Sequence, residues 1–260
     1  MTELSFTVED RVGVLTLNRP ERKNAFTFSM IESWAQILRD AHRDSTLRAI
    51  VLTGAGGAFC SGVDLDDFSR PGLSPLDRKR QLTDQVHQVA LAMERLDKPV
   101  IAAVEGVAVG AGLDMALMCD MRVVGRSARL SEGYVRVGLV PGDGGCFYLP
   151  RLVGIGKALE LLLTGDVVDG EEAVRIGMAN QVVDDGLALD GAMTLARRIS
   201  LLPPVAVAMI KRATYQSLRC DLQTSLDLIS SHFGVITATE DSQEALRAFR
   251  ERRQGAFIGR

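Results

Sequence analysis

KPVIAAVEGVAVGAGLDMALMCDMRV, residues 98–123, carries an apolar strand, a glycine-bearing turn, a helix and the start of another strand in quick succession. The run PVIAAVEG is short, nearly all apolar and bounded by Pro99 and Gly106, the pattern of a strand buried on both faces. After Gly110 the apolar spacing becomes helical, and MRVVG returns to strand. From Pro99 to Met118 the segment approaches the length of a membrane span. It contains Glu105 and Asp114, however, and charge at bilayer depth is costly, so a buried strand, turn and helix is expected.

The same order recurs upstream. SFTVED and RVGVLTLN are β-rich runs with Gly13 near their junction, as in a hairpin or meander. Ser29 is the expected N-cap of a helix in which Ile31, Trp34, Ile37, Leu38 and Ala41 recur at helical spacing. RAIVLTG is a further buried strand, followed by a glycine-rich loop and a long helical stretch around 75–95. Strands alternating with helices predict an α/β architecture with crossover connections. Beyond Gly154 the segments are mostly helical. A boundary near residue 200 divides a core, 1–200, from a helical region, 201–260, whose Leu222, Leu226, Ile229, Phe233 and Ile236 suit packing on the main domain or on another subunit.

Composition excludes several function classes. With 30 basic against 33 acidic residues and a net charge of -3, no broad basic footprint for nucleic acid exists. Cys60, Cys119, Cys146 and Cys220 show neither zinc spacing nor a disulfide pattern, which fits a reducing cytoplasm. MTELSFTVED lacks the apolar core of a signal peptide, so no membrane association is expected. Phosphate-loop, dinucleotide and nucleophile-elbow motifs are missing or incomplete. Cys60 and Ser61 lie in a glycine-flanked loop and could be nucleophiles, but His42, His87 and His232 lie far away in helical patterns.

Two glycine-bearing segments follow two apolar strands: TGAGGAFCSGVDLDDF after Thr53 and EGVAVGAGLDMALMCD after Val104. Loops at the carboxyl ends of neighbouring parallel strands converge on one crevice. Gly110 and Gly112 flank Ala111 at a helix start, where its N–H is an orphan donor, and Asp114 falls on the same helix face. Gly62 lets backbone approach a ligand, so Val63 can offer a second N–H. Paired N–H groups beside a carboxyl suit proton removal next to a carbonyl, whose oxygen then gains charge. Read from spacing alone, Asp114 serves equally to cap or solvate its helix, and the glycines to permit close packing.

At these segments the sequence resembles the crotonase (enoyl-CoA hydratase/isomerase) family. AFCSGVDLDDF and KPVIAAVEGVAVGAGLDMALMCDMRV resemble its two oxyanion segments. GLVPGDGGCFYLPRLVG, LTGDVVDGEEAVRIGMANQVV and TEDSQEALRAFRERR resemble its downstream pattern in order and spacing. The resemblance implies a spiral of ββα units, a helical C-terminal region that builds trimers or dimers of trimers, and an acyl-CoA substrate that brings its own coenzyme A, with no prosthetic group and no metal. It puts the oxyanion donors at Val63 and Ala111. It puts coenzyme A contacts at Arg22, Lys23, Ala25, Ser61, Gly62, Asp64, Leu65 and Gly110.

The chain departs from the family in its acids. Hydratases of the family carry glutamates at the places of Asp114 and Tyr134; here one is shortened by a methylene and the other is a phenol, which donates a hydrogen bond but is a poor base at neutral pH. Some isomerases and dehalogenases of the family place an acid in the VPxxGG turn, where Asp143 stands in VPGDGG; it serves there as an acid or as an N-cap. Glu132 ranks last as a third acid, because nothing in the sequence fixes its direction. The expected activity is hydration or isomerisation through a thioester enolate, with Asp114 moving the proton, Tyr134 orienting substrate and Asp143 as second acid. The alternatives are thioester hydrolysis, decarboxylation, carbon–carbon cleavage, or acyl-CoA binding without turnover.

Overall fold

The computed structural model describes residues 2–69 and 71–260. It opens with an antiparallel hairpin, β1 (Leu4–Glu9) and β2 (Val12–Leu17), turned by Asp10 and Arg11 at φ 49° and 66°. Gly13 stands near that junction, as expected. It lies inside β2, where a Cβ would come within 2.4 Å of Phe6 Cζ. The first helix, α1 (Phe28–Arg43), is capped by Thr27 and not by Ser29. Thr27 has the extended backbone of a cap and its hydroxyl accepts from the Met30 N–H at 3.3 Å, whereas Ser29 is already helical.

β3 (Ala49–Gly54) leads through α2 (Leu65–Phe68) and α3 (Pro75–Arg80) into a π-helical turn, Gln81–Val86, and then α4 (His87–Arg95). The stretch quoted above divides into β4 (Val100–Val104), β5 (Val107–Val109), α5 (Ala111–Leu117) and β6 (Met121–Gly125). Next come β7 (Arg129–Ser131), α6 (Gly145–Val153), α7 (Ile155–Thr164), α8 (Gly170–Arg175) and β8 (Gln181–Val183). The chain ends in α9 (Ala188–Ser200), α10 (Pro204–Ser217), α11 (Leu222–Thr237) and α12 (Glu240–Glu251).

The main sheet has the order β1-β2-β3-β4-β6-β8 and is parallel after its first pair. β5 and β7 pair separately, and bridges from Cys60 to Ala108 and from Leu130 to Val168 extend that second layer. Successive turns of the chain thus give a strand to the main sheet, a shorter one to the second layer, and then a helix. The expected α/β spiral of ββα units is the observed fold.

Alternation along the buried strands feeds two cores. Ala49, Val51, Ile101, Ala103 and Val123 face Ala188, Ala192 and Ala196 of α9, small side chains that let the helix lie close. Ile50, Leu52, Ala102 and Val104 face the larger core with Trp34, Leu38 and Leu113. Burial on both faces explains why these strands read as unbroken apolar runs. No single helix among the described residues is long and apolar enough to cross a membrane. The last three helices leave Ile210, Leu218, Leu222, Phe233 and Phe249 exposed.

Thr27→Ala is expected to lower the unfolding free energy by about 1 kcal/mol in urea titrations, and Ser29→Ala by a few tenths at most, because only Thr27 satisfies an orphan N–H.

Candidate active site

Backbone pairing brings the two glycine-bearing loops together. Cys60 N–H donates to Val107 O at 3.0 Å, and Val109 N–H to Cys60 O at 3.1 Å. Gly112 can have no side chain, since a Cβ there would stand 2.2 Å from Cys60 O. Gly62 and Gly110 have φ of 104° and 53°, a region that favours glycine. A Cβ on Gly62 would lie 3.7 Å from Ala111 N, so the loops meet where Val63 and Ala111 carry their N–H groups. Neither N–H donates to a backbone carbonyl among the described residues. Two unpaired donors at one approach can hold an oxygen that gains negative charge.

The loop before α1 is fastened to this pair of segments by residues the motif reading passed over. Asn24, fully buried, donates from Nδ2 to Ala55 O at 2.8 Å and Ala58 O at 2.7 Å, and its Oδ1 accepts from Arg19 N–H at 2.9 Å. Arg19 Nη1 reaches Ala25 O at 2.7 Å and Asp64 Oδ2 at 2.8 Å. Burial pushes the Asp64 carboxyl upward, but the hydrogen bonds from Arg19 and Asp66 N–H outweigh it and hold it below the usual carboxylate range. The Asp64 carboxylate is thus spent inside the protein, capping α2 and bracing Arg19, while its N–H donates to Phe26 O at 2.8 Å and its carbonyl accepts from Phe68 N–H at 2.9 Å. Ser61 N–H donates to Lys23 O at 3.0 Å and its hydroxyl to Arg22 O at 3.2 Å, which sets Arg22, Lys23 and Ser61 on one ledge with exposed Leu65 at its end. Arg22 meets Asp66 at 3.4 Å across solvent, a pair an anion can readily displace.

The acids gather under α5. Asp114, fully buried, accepts on Oδ2 from Tyr134 hydroxyl at 2.7 Å and Asp143 N–H at 3.3 Å. The same hydroxyl stands 3.1 Å from Asp143 Oδ2, and having one proton it can donate to only one carboxyl at a time. Asp143 is not an N-cap. Gly144, with φ 123°, occupies the cap of α6 without a side-chain bond, and the Asp143 carboxyl turns inward to Tyr134. Glu132, ranked last from the sequence, lies in the middle of the cluster: it is 1% exposed, and a Cβ on Gly145 would stand 2.8 and 2.9 Å from its oxygens and 2.4 Å from Asp114 Oδ1. Three carboxyls and a phenol therefore share one buried space that Gly145 keeps open.

Desolvation sets the electrostatics. Burial raises Asp114 well above the usual carboxylate range, and the charge of Asp143 adds to it. Burial, and then the neighbouring Asp114, raise Glu132 further still. Asp143 is pushed up to about 6 by burial, against the opposing pull of the Tyr134 hydrogen bond and of His87. His87 Nε2 lies 2.9 Å from Gly142 O and so steadies the turn carrying Asp143, a contact no local spacing reveals. The nucleophile reading fails for Cys60: its buried thiol is pushed up to about 12 and bonds Asn24 O, so no thiolate forms near neutrality. A cavity of about 830 Å³ touches the cluster at Asp143 and Gly144 and runs between α4, α6 and α10, where Leu91, Met118, Phe147 and Leu152 give it an apolar wall.

A sequence model described as enoyl-CoA hydratase/isomerase matches residues 7–260. The chain belongs to the enoyl-CoA hydratase/isomerase family. This crotonase is 36% identical to a short-chain-enoyl-CoA hydratase of Clostridium acetobutylicum, over 95% of the chain and 94% of the relative. It is 37% identical to a 1,2-epoxyphenylacetyl-CoA isomerase of Escherichia coli, over 97% of each. The crystal structure of an enoyl-CoA hydratase from Bacillus anthracis superposes with a TM-score of 0.95 at 31% identity and covers 100% of both chains. The protein is an enzyme of the lyase or isomerase class acting on acyl-CoA thioesters.

In this crotonase the raised Asp143 carboxyl has a stability consequence with a definite sign. A folded value of about 6 against an unfolded 3.8 means the folded state binds the extra proton, so stability falls as pH rises through that window. Asp143→Asn removes the charged form; the variant is expected to be more stable than the parent at neutral pH, by up to about 3 kcal/mol, and to lose that advantage below pH ~4. Urea denaturation across that range measures it.

Proposed function

We propose that this crotonase moves a double bond within an enoyl-CoA thioester, and that Asp143 and Asp114 are its proton carriers. The observation that carries this reading is the single Tyr134 hydroxyl within hydrogen-bond distance of both carboxyls, at 2.7 and 3.1 Å. Hydration by two carboxylates needs a water held between them, and here a phenol occupies that place.

The two acids have different surroundings, which separates their roles. Asp143 touches the cavity and is the more readily ionised, so it is the base that takes the proton beside the thioester. The electrons of that C–H bond pass into the enolate, whose oxygen is held by the Val63 and Ala111 N–H groups. Asp114, kept protonated by burial, returns a proton to the far end of the allylic system. The proton left on Asp143 passes to the Tyr134 oxygen as the Tyr134 proton passes to Asp114, which resets the pair. Arg22, Lys23 and Ser61 line the ledge proposed for the nucleotide end of coenzyme A, and Ala25, Gly62, Asp64, Leu65 and Gly110 are proposed to line the path of the thioester arm. The apolar cavity receives the acyl group, and a reducing cytoplasm suits the four unpaired cysteines.

Incubation with 2-enoyl- and 3-enoyl-CoA thioesters in deuterated water, read by mass spectrometry, tests the reaction. Double-bond migration with deuterium at carbon and no added water is expected; a 3-hydroxyacyl product would sink the isomerase reading in favour of hydration. Asp143→Asn and Asp114→Asn should each lower kcat by at least ~100-fold. The kcat/KM profile should fall as pH drops below about 6, where Asp143 gains its proton. In Tyr134→Phe that limb moves to higher pH, because the hydrogen bond stabilising the ionised carboxyl is gone.

The exposed apolar side chains of α10 to α12 are proposed to be covered in a homotrimer or dimer of trimers formed by residues 201–260. Light scattering should give three or six times the mass of one chain, and Phe233→Asp should lower it.

A further inference from the structure

Glu132 has no part in the steps above, yet its carboxyl is enclosed with Asp114. One point, the place a Cβ on Gly145 would take, lies 2.4 Å from Asp114 Oδ1 and 2.8 and 2.9 Å from the Glu132 oxygens. Among the described residues, none of these three oxygens receives an N–H or hydroxyl from another residue. Elsewhere the cluster is well supplied, since Asp114 Oδ2 accepts both Tyr134 and the Asp143 N–H. Two ionised carboxylates facing each other without donors would be a costly arrangement, and one proton between them removes the cost.

We propose that Glu132 is a buried, neutral carboxylic acid whose O–H donates to Asp114 Oδ1, making it a positioning residue that holds Asp114 in place and stabilises its anion. The groups that face it are all acidic or neutral: Asp114 from α5, Cys146 from α6, Asp143 from the turn before it, and Tyr134 just beyond in the chain. Burial, with Asp114 next, pushes Glu132 up to about 10 and burial pushes Asp114 only to about 7, so Glu132 is still protonated after Asp114 has given up its own proton. When Asp114 gives its proton to carbon, the bond from Asp114 oxygen to hydrogen breaks and its electron pair stays on Asp114. The enolate electrons form the new C–H bond. The anion left behind is held by Tyr134, the Asp143 N–H and Glu132, and Glu132 keeps its own proton throughout.

This role rests on the isomerase reading only in what it gives Asp114 to do; the protonation state of Glu132 stands apart from it. Infrared spectra of the resting protein at pH about 9, above the values of about 6 for Asp143 and about 7 for Asp114 and below that of Glu132, should contain the carbonyl stretch of a protonated carboxylic acid that disappears in Glu132→Gln. A spectrum without that band, or a band Glu132→Gln leaves in place, overturns the inference whether or not a substrate has been found.

Turnover supplies the second arm. Glu132→Gln keeps a neutral donor of the same shape and should hold kcat within about threefold of the parent. Glu132→Ala should lose roughly ten- to a hundredfold, the loss expected for one hydrogen bond to a charged group, and should move the pH limb belonging to Asp114 upward. Loss of turnover in Glu132→Gln comparable to that in Asp114→Asn would mean that Glu132 works ionised, contrary to the inference. Should the parent itself turn over none of the enoyl-CoA thioesters, the proposed reaction fails and the infrared band alone decides the state of Glu132.

Discussion

The carbonyl oxygen of Cys60 stands where Gly112 would carry a side chain, 2.2 Å from that missing Cβ, and the site is organised around this contact. β3 and β4 are parallel neighbours, so the loops leaving their carboxyl ends emerge side by side. Only the absence of a Cβ lets them close to backbone distance, with Cys60 pairing along β5. That closeness brings the loops of Val63 and Ala111 together, and neither N–H is bonded to a backbone carbonyl among the described residues. Arg19 and Asn24 then tie the loop before α1 to the same frame, so the ledge of Arg22, Lys23 and Ser61 has a fixed relation to the donors.

Beneath that pair the protein tolerates an arrangement that is poor for stability. Asp114, Glu132 and Asp143 are all buried, and each is pushed toward its neutral form chiefly by desolvation. A raised carboxyl pKa weakens the folded state at neutral pH and supplies groups able to give and take protons there, a trade often found where function requires strain. Their surroundings are unequal: Asp143 reaches the cavity, Asp114 is fully enclosed, and Glu132 faces acidic and neutral groups. The longer reach of Tyr134 lets one hydroxyl span Asp114 and Asp143, which a carboxylate in its place would not do while both neighbours were charged.

Much of this was legible along the chain. The nearly all-apolar runs at 49–54 and 100–104 announced strands buried on both faces, and glycines 62, 110 and 112 marked where backbone approaches backbone. The grouping of Val63, Ala111 and Asp114 followed from the rule that loops at the ends of adjacent parallel strands converge. The first cap was misread because an extended Thr27 is a backbone state that several residue types adopt.

Residue types, strand periodicity and the placing of glycines are local properties, and they determined the α/β spiral, its family and the two loops that build the site. The direction of each acid was decided by tertiary structure alone. Asp143 turns inward because Gly144 takes the cap of α6, and Glu132 moves from last place to the centre of the cluster because Gly145 leaves room for it against Asp114. Arg19, Asn24 and His87 likewise act on partners that only folding brings near. Where a side chain points, and how far burial shifts its proton, depend on neighbours distant in sequence, because hydrogen bonding and desolvation are set by distances in space.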